Sequence, residues 1–142
     1  MRFVYNLLIL ATALTAPVAL ASAAKTFAEV EVKVASAELE KKGAGIRTLY
    51  LTIYDEASQA PMPYGAMKVE LKADAKGTVY KGVLDTANVM IMGHGSEPKK
   101  LRIKAKLDKD GSAGPDAVGD LVGNATGVAI GSKVTISIDK AI

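Results

Sequence analysis

Leu101-Arg102-Ile103-Lys104-Ala105-Lys106-Leu107 alternates apolar and cationic side chains without a fault. A period of two places Leu101, Ile103, Ala105 and Leu107 on one face of an extended chain and Arg102, Lys104 and Lys106 on the other. The reading is a half-buried strand whose apolar face lines a core and whose cations are solvated. The same alternation recurs on both sides of this stretch. Ala28, Val30, Val32 and Val34 alternate with Glu29, Glu31 and Lys33, and Val134, Ile136 and Ile138 alternate with Lys133, Thr135, Ser137 and Asp139. Met67, Val69 and Leu71 alternate with Lys68, Glu70 and Lys72, while Val79 to Leu84 is less regular. From Ile46 to Tyr54 both faces carry β-favouring residues, Leu49, Leu51 and Ile53 against Thr48, Tyr50, Thr52 and Tyr54, as in a central strand. With a weaker segment from Leu121 to Val128 the total is about seven short strands, the number and spacing of an antiparallel sandwich.

One stretch competes for helix. Ser36-Ala37-Glu38-Leu39-Glu40-Lys41-Lys42 opens on a capping residue and stops at Gly43, so it is a short helical connector. The expected architecture is an all-β, antiparallel, immunoglobulin-like sandwich with one short helical turn.

The first residues read as an export signal. Met1-Arg2 is followed by an apolar stretch to Leu20 and then by Ala21-Ser22-Ala23, a positive start, an apolar middle and small residues at a cleavage site. Asn6 and Pro17 interrupt the roughly 20 continuous apolar residues that a membrane anchor requires. Residues 1–23 are therefore assigned to a signal peptide and residues 24–142 to one domain, with cleavage after Ala23 or Ala24, a periplasmic or secreted location and no membrane span in the mature chain. There is no cysteine, so neither disulfides nor thiolate chemistry is available. With no Trp and two Phe, the core has to be aliphatic.

The 18 Lys and Arg against 15 Asp and Glu leave a net charge of +3, too small to point to a polyanion, and no aromatic residues are interleaved for nucleic-acid stacking. Catalysis finds no support. A nucleophile–base pair would have to use the single histidine, His94, which is flanked by glycines, and the carboxylate pairs Asp108/Asp110 and Asp116/Asp120 read as solvated turn formers. Asp108-Lys109-Asp110-Gly111 has part of a calcium-loop pattern, without its later acidic ligand. No cofactor is called for.

Three loops stand out: residues 55–66, with Pro61-Met62-Pro63-Tyr64; residues 86–98, with Met90-Ile91-Met92-Gly93-His94-Gly95; and residues 108–119. If the first two meet at one end of the sandwich, Pro61, Met62, Pro63, Tyr64, Met90, Met92 and His94 form an adaptable surface for a flexible apolar protein segment. An alternative use of Met62, Met90, Met92 and His94 is a copper site, since thioethers and imidazole suit Cu(I). A third reading is a structural or surface-assembly role through edge-strand pairing.

The chain also resembles a known family. Val32-Lys33-Val34-Ala35 precedes the helical turn with Leu39; Pro61-Met62-Pro63 follows a strand; Leu84-Asp85 leads into Met90-x-Met92-Gly93. Leu101 to Leu107 comes next, then a Gly-Pro turn, Gly119-Asp120-Leu121 and a final Gly131-x-x-Val134-x-Ile136-x-Ile138-Asp139. This order resembles the C-terminal immunoglobulin-like domain of the CycH-type accessory subunit of cytochrome c maturation, which works with the haem lyase. In that family the domain follows a membrane-anchored segment and tetratricopeptide repeats, and the repeats are implicated in gripping the apocytochrome. Here an export signal stands in their place, so the resemblance implies a fold and a compartment but carries over no apocytochrome grip. The family's Ser-Gly-x-Ala turn also differs, reading Lys109-Asp110-Gly111-Ser112-Ala113. The implied role is a non-enzymatic accessory or binding module in cytochrome c maturation or haem-protein assembly, with an apocytochrome or a maturation factor as partner.

Overall fold

The computed structural model describes residues 24–58, 62–93 and 95–142; the proposed signal peptide, Pro61 and His94 lie outside them. The described chain is an all-β sandwich. Seven long strands carry it: β1 (Thr26–Val34), β2 (Thr48–Asp55), β3 (Gly65–Glu70), β4 (Thr78–Asp85), β6 (Lys100–Asp108), β7 (Leu121–Ala129) and β8 (Ser132–Ile138). Two short ones, β5 (Met90–Ile91) and β9 (Lys140–Ala141), extend a sheet edge each, and α1 (Ala37–Lys42) is the only helix among the described residues. Its start is the expected one, with the Ser36 hydroxyl accepting from the Leu39 N–H at 3.3 Å.

The strands form a three-stranded sheet, β4-β1-β8, packed on a six-stranded sheet, β5-β3-β2-β6-β7-β9. Alternation sets the faces as read from the sequence. Val30 and Val32 of β1, Leu49, Leu51 and Ile53 of β2, Leu101, Ile103, Ala105 and Leu107 of β6, and Ile136 and Ile138 of β8 are all buried in one core. Phe27 adds its single aromatic ring to this aliphatic set.

Neighbour relations are less regular than a wholly antiparallel sandwich. β1 pairs with β4 antiparallel but with β8 parallel. In the constant-type immunoglobulin order the first two strands share a sheet; here β1 and β2 lie in different sheets. A period of two fixes which face a side chain takes and is silent on the direction of the strand beside it.

The chain crosses between sheets where β7 turns through Ile130-Gly131 into β8. The crossing demands a close approach: a Cβ on Gly123 of β7 would lie 2.0 Å from the Ser137 carbonyl oxygen of β8. After β8 the Asp139 N–H donates to the Val122 carbonyl at 3.2 Å, returning the chain to the larger sheet.

The outer face of that sheet corrects the sequence reading. Lys106 is only 6% exposed and Asp108 3%, and their side chains pair at 2.9 Å. The cause is the 109–120 loop, which folds back over the sheet as a strap. Lys106 also donates to the Gly114 carbonyl at 2.9 Å, Tyr50 donates to the Gly111 carbonyl at 3.1 Å, and Lys104 pairs with both Asp116 oxygens at 2.7 and 2.5 Å. Asp120, expected in a solvated turn, is buried as well, accepting from the Lys109 and Ala117 N–H groups at 3.0 and 2.9 Å.

Candidate functional site

The two methionine loops meet. The Tyr64 N–H donates to the Ile53 carbonyl at 2.7 Å, continuing the β2–β3 ladder beyond Gly65. Its own carbonyl accepts from Met92 N–H at 2.9 Å and Gly93 N–H at 3.2 Å. The Tyr64 ring stands edge-on to Phe27, with centroids 6.0 Å apart and planes at 81°, so one residue fastens both loops to each other and to the core. Gly93 leaves room for that ring, since a Cβ there would come to 3.1 Å from Tyr64 Cδ2.

The second loop is held from behind. Asp85 accepts from the Ala87 and Asn88 N–H groups at 2.9 and 3.1 Å. The Asn88 amide bridges the Asp85 N–H at 3.0 Å and the Val83 carbonyl at 2.6 Å. This turn drives Val89 into the core over Gly65, where a Cβ would lie 2.7 Å from a Val89 methyl. Glycine at position 65 is what lets Val89 seat there, and the seat sends Met90 and Met92 outward.

Met62, Pro63, Tyr64 and Met92 line a cleft of about 460 Å³, completed by Asp55, Ser58, Gly93, Gly95 and Ser96. Met62 is 70% exposed and Met92 37%. Met90, 72% exposed, sits on a neighbouring groove of about 410 Å³ on the outer face of the large sheet. That groove is lined by Tyr50, Thr52, Tyr54 and Ala66, with the strap residues Ala113 and Gly114. Pro63 and Met92 line both cavities, which therefore share a wall. Of the residues named from the sequence, Met62, Pro63, Tyr64 and Met92 line the cleft and Met90 the groove, which depends on the strap folding back and had no signal in the sequence.

Lys106, which lines the groove, is paired with Asp108. Burial opposes the Lys106 ammonium, but the hydrogen bond and charge of Asp108, with Asp120 and Asp116 behind it, outweigh that and hold its pKa above the ordinary lysine value. Among the described residues no group of three or more His, Asp or Glu side chains is placed to hold a metal ion, and no helix is long and apolar enough to cross a membrane. No family model, curated protein or solved structure matches the chain. What fold and site together define is a β-sandwich bearing a methionine-rimmed cleft and a tyrosine-floored groove.

Proposed function

We propose that this protein is a non-enzymatic binding module working outside the cytoplasm, taking a flexible apolar protein segment into the methionine cleft as an accessory to cytochrome c maturation or haem-protein assembly. The observation that carries this reading is the meeting of Met62, Pro63, Tyr64 and Met92 in one open cleft with Met90 beside it. Thioether side chains are unbranched and polarisable, so they repack around different apolar partners at little cost. A cleft of this volume is in the usual range for ligand sites. The compartment and the cytochrome connection rest on the export-signal pattern and on the family resemblance.

Methyl-labelled methionine offers a direct test, because Met62, Met90 and Met92 are exposed at the two cavities. Titration with apocytochrome segments should shift the Met62, Met90 and Met92 methyl resonances. No shift at any of the three, together with a periplasmic pull-down that returns neither cytochrome nor maturation factor, refutes the reading.

A copper-carrier reading has one observation in its favour, the sharing of a cleft by two thioethers, Met62 and Met92. Anaerobic Cu(I) titration decides it. Failure to take up one equivalent, or uptake unchanged in Met62→Leu/Met92→Leu, removes it.

A further inference from the structure

Four cations, Lys100, Arg102, Lys104 and Lys106, stand at alternate positions along the outer face of β6 and differ in their partners. Lys104 is neutralised by Asp116 and Lys106 by Asp108. Neither Lys100 nor Arg102 has an ion pair among the described residues, but Lys100 is exposed at the strand's start whereas Arg102 is half-buried. Its guanidinium lies over the Tyr54 ring, 4.2 Å from the centroid, and Tyr54 lines the outer groove. Stacking on a ring face orients the planar fork while leaving its N–H edges open to an acceptor.

The backbone beside Arg102 is irregular. Leu101 opposes Val128 and Ile103 opposes Ala125, so two steps on β6 meet three on β7. This is a bulge, a device that bends a strand and re-aims the side chains beside it. Gly127, at φ +65, supplies its left-handed residue, and the Gly127 N–H donates to Glu56 at 2.8 Å, engaging that carboxylate with backbone.

A guanidinium that has no ion pair among the described residues and is stacked on Tyr54, itself a wall of the apolar groove, defines a ligand with an apolar body and a carboxylate. We propose that Arg102 anchors the carboxylate of a bound peptide whose apolar side chains lie in the adjoining groove over Tyr50, Tyr54 and Met90. The inference rests on the peptide-binding reading of the cleft and adds its polar determinant. Arginine meets a carboxylate through two parallel N–H donors, which gives direction as well as affinity.

The test uses the mature chain and three labelled probes of one short Leu/Val/Ala sequence: a free C-terminal acid, its C-terminal amide, and the amide carrying one internal Glu. Fluorescence anisotropy should find the free acid or the internal-Glu probe about tenfold tighter than the plain amide, the span of one charge-assisted contact, and which of the two gains identifies the carboxylate's source. Arg102→Gln should abolish that difference while leaving amide binding unchanged, and Arg102→Lys should restore part of it. Equal binding of all three probes to the native chain overturns the inference and leaves the cleft reading standing. Equal weakening of every probe by Arg102→Gln, in a variant with native circular dichroism, also overturns it. Absence of binding by any probe overturns the cleft reading and the inference together.

Discussion

Within β6 three nearby substitutions separate three environments. Ile103 is fully buried, and Ile103→Ala should cost about 2–5 kcal/mol through lost transfer energy and the cavity left behind. Lys106→Met strands the Asp108 carboxylate at a buried position and should cost about 3–5 kcal/mol, as loss of one partner from a buried pair does. Lys104 and Asp116 remain partly solvated, so Lys104→Ala should cost at most about 1 kcal/mol. Urea midpoints for the three variants check the order; a Lys106→Met value as small as that of Lys104→Ala would mean that the strap does not seal the outer face. The inner face of this strand was legible because alternation is a property of the strand alone. The outer face was not, since the burial of Lys106 and Asp108 depends on the strap, whose Gly111 and Gly114 carbonyls and Asp116 carboxylate come from up to a dozen residues further on.

At the scale of elements, period two located β1, β2, β3, β6 and β8 and the capping pattern located α1, because those signals are local, whereas β4 was less regular and β7, with burial that does not alternate, was only a weaker segment. Pairing was hidden, since the parallel β1–β8 ladder joins segments about a hundred residues apart whose only common signal is apolar alternation. The close passage of β7 and β8 is the most exacting of these long-range contacts. Gly123→Ala would drive a methyl into the Ser137 carbonyl and the Ile138 backbone, neither of which can swing aside as a side chain can. It should destabilise the protein by more than about 3 kcal/mol, the upper range of overpacking costs, whereas Gly45→Ala, also at a glycine but with open space around it, should be limited to the strain of its positive φ. Thermal unfolding of the two variants makes the comparison. The strap has its own fastening in Asp120. Asp120→Ala leaves the Lys109 and Ala117 N–H groups without their acceptor and should cost about 1–3 kcal/mol, with faster amide exchange confined to residues 109–119.

For the whole molecule, stability without a disulfide depends on packing and on charges whose protonation the fold has shifted. On the acid side, Thr78 and Lys33 lower the pKa of Glu31, and Arg47 with the Gly45 N–H lowers that of Asp74. Both contributions are present above the unfolded carboxylate values and are lost as pH falls through the folded ones, but both groups are exposed and the effect is small. The alkaline side is where the strap enters. The folded pKa of Lys106 lies above the ordinary lysine value, so the native state holds this proton more tightly than the unfolded chain does. Its contribution is therefore complete below about pH 10.4, the unfolded lysine value, and is lost as pH rises through the folded value. Tyrosine ionisation falls in the same range, so the native chain alone cannot isolate the effect, but the difference between native protein and Lys106→Met can. Urea midpoints measured from neutral pH to about pH 11.5 should show that difference constant up to about pH 10.4 and shrinking beyond it, because deprotonating Lys106 removes the charge that the substitution has already removed. A difference that stayed constant throughout would mean that the ammonium charge contributes nothing, and that Lys106 holds the strap only through its length and its fit against Tyr50 and Gly114.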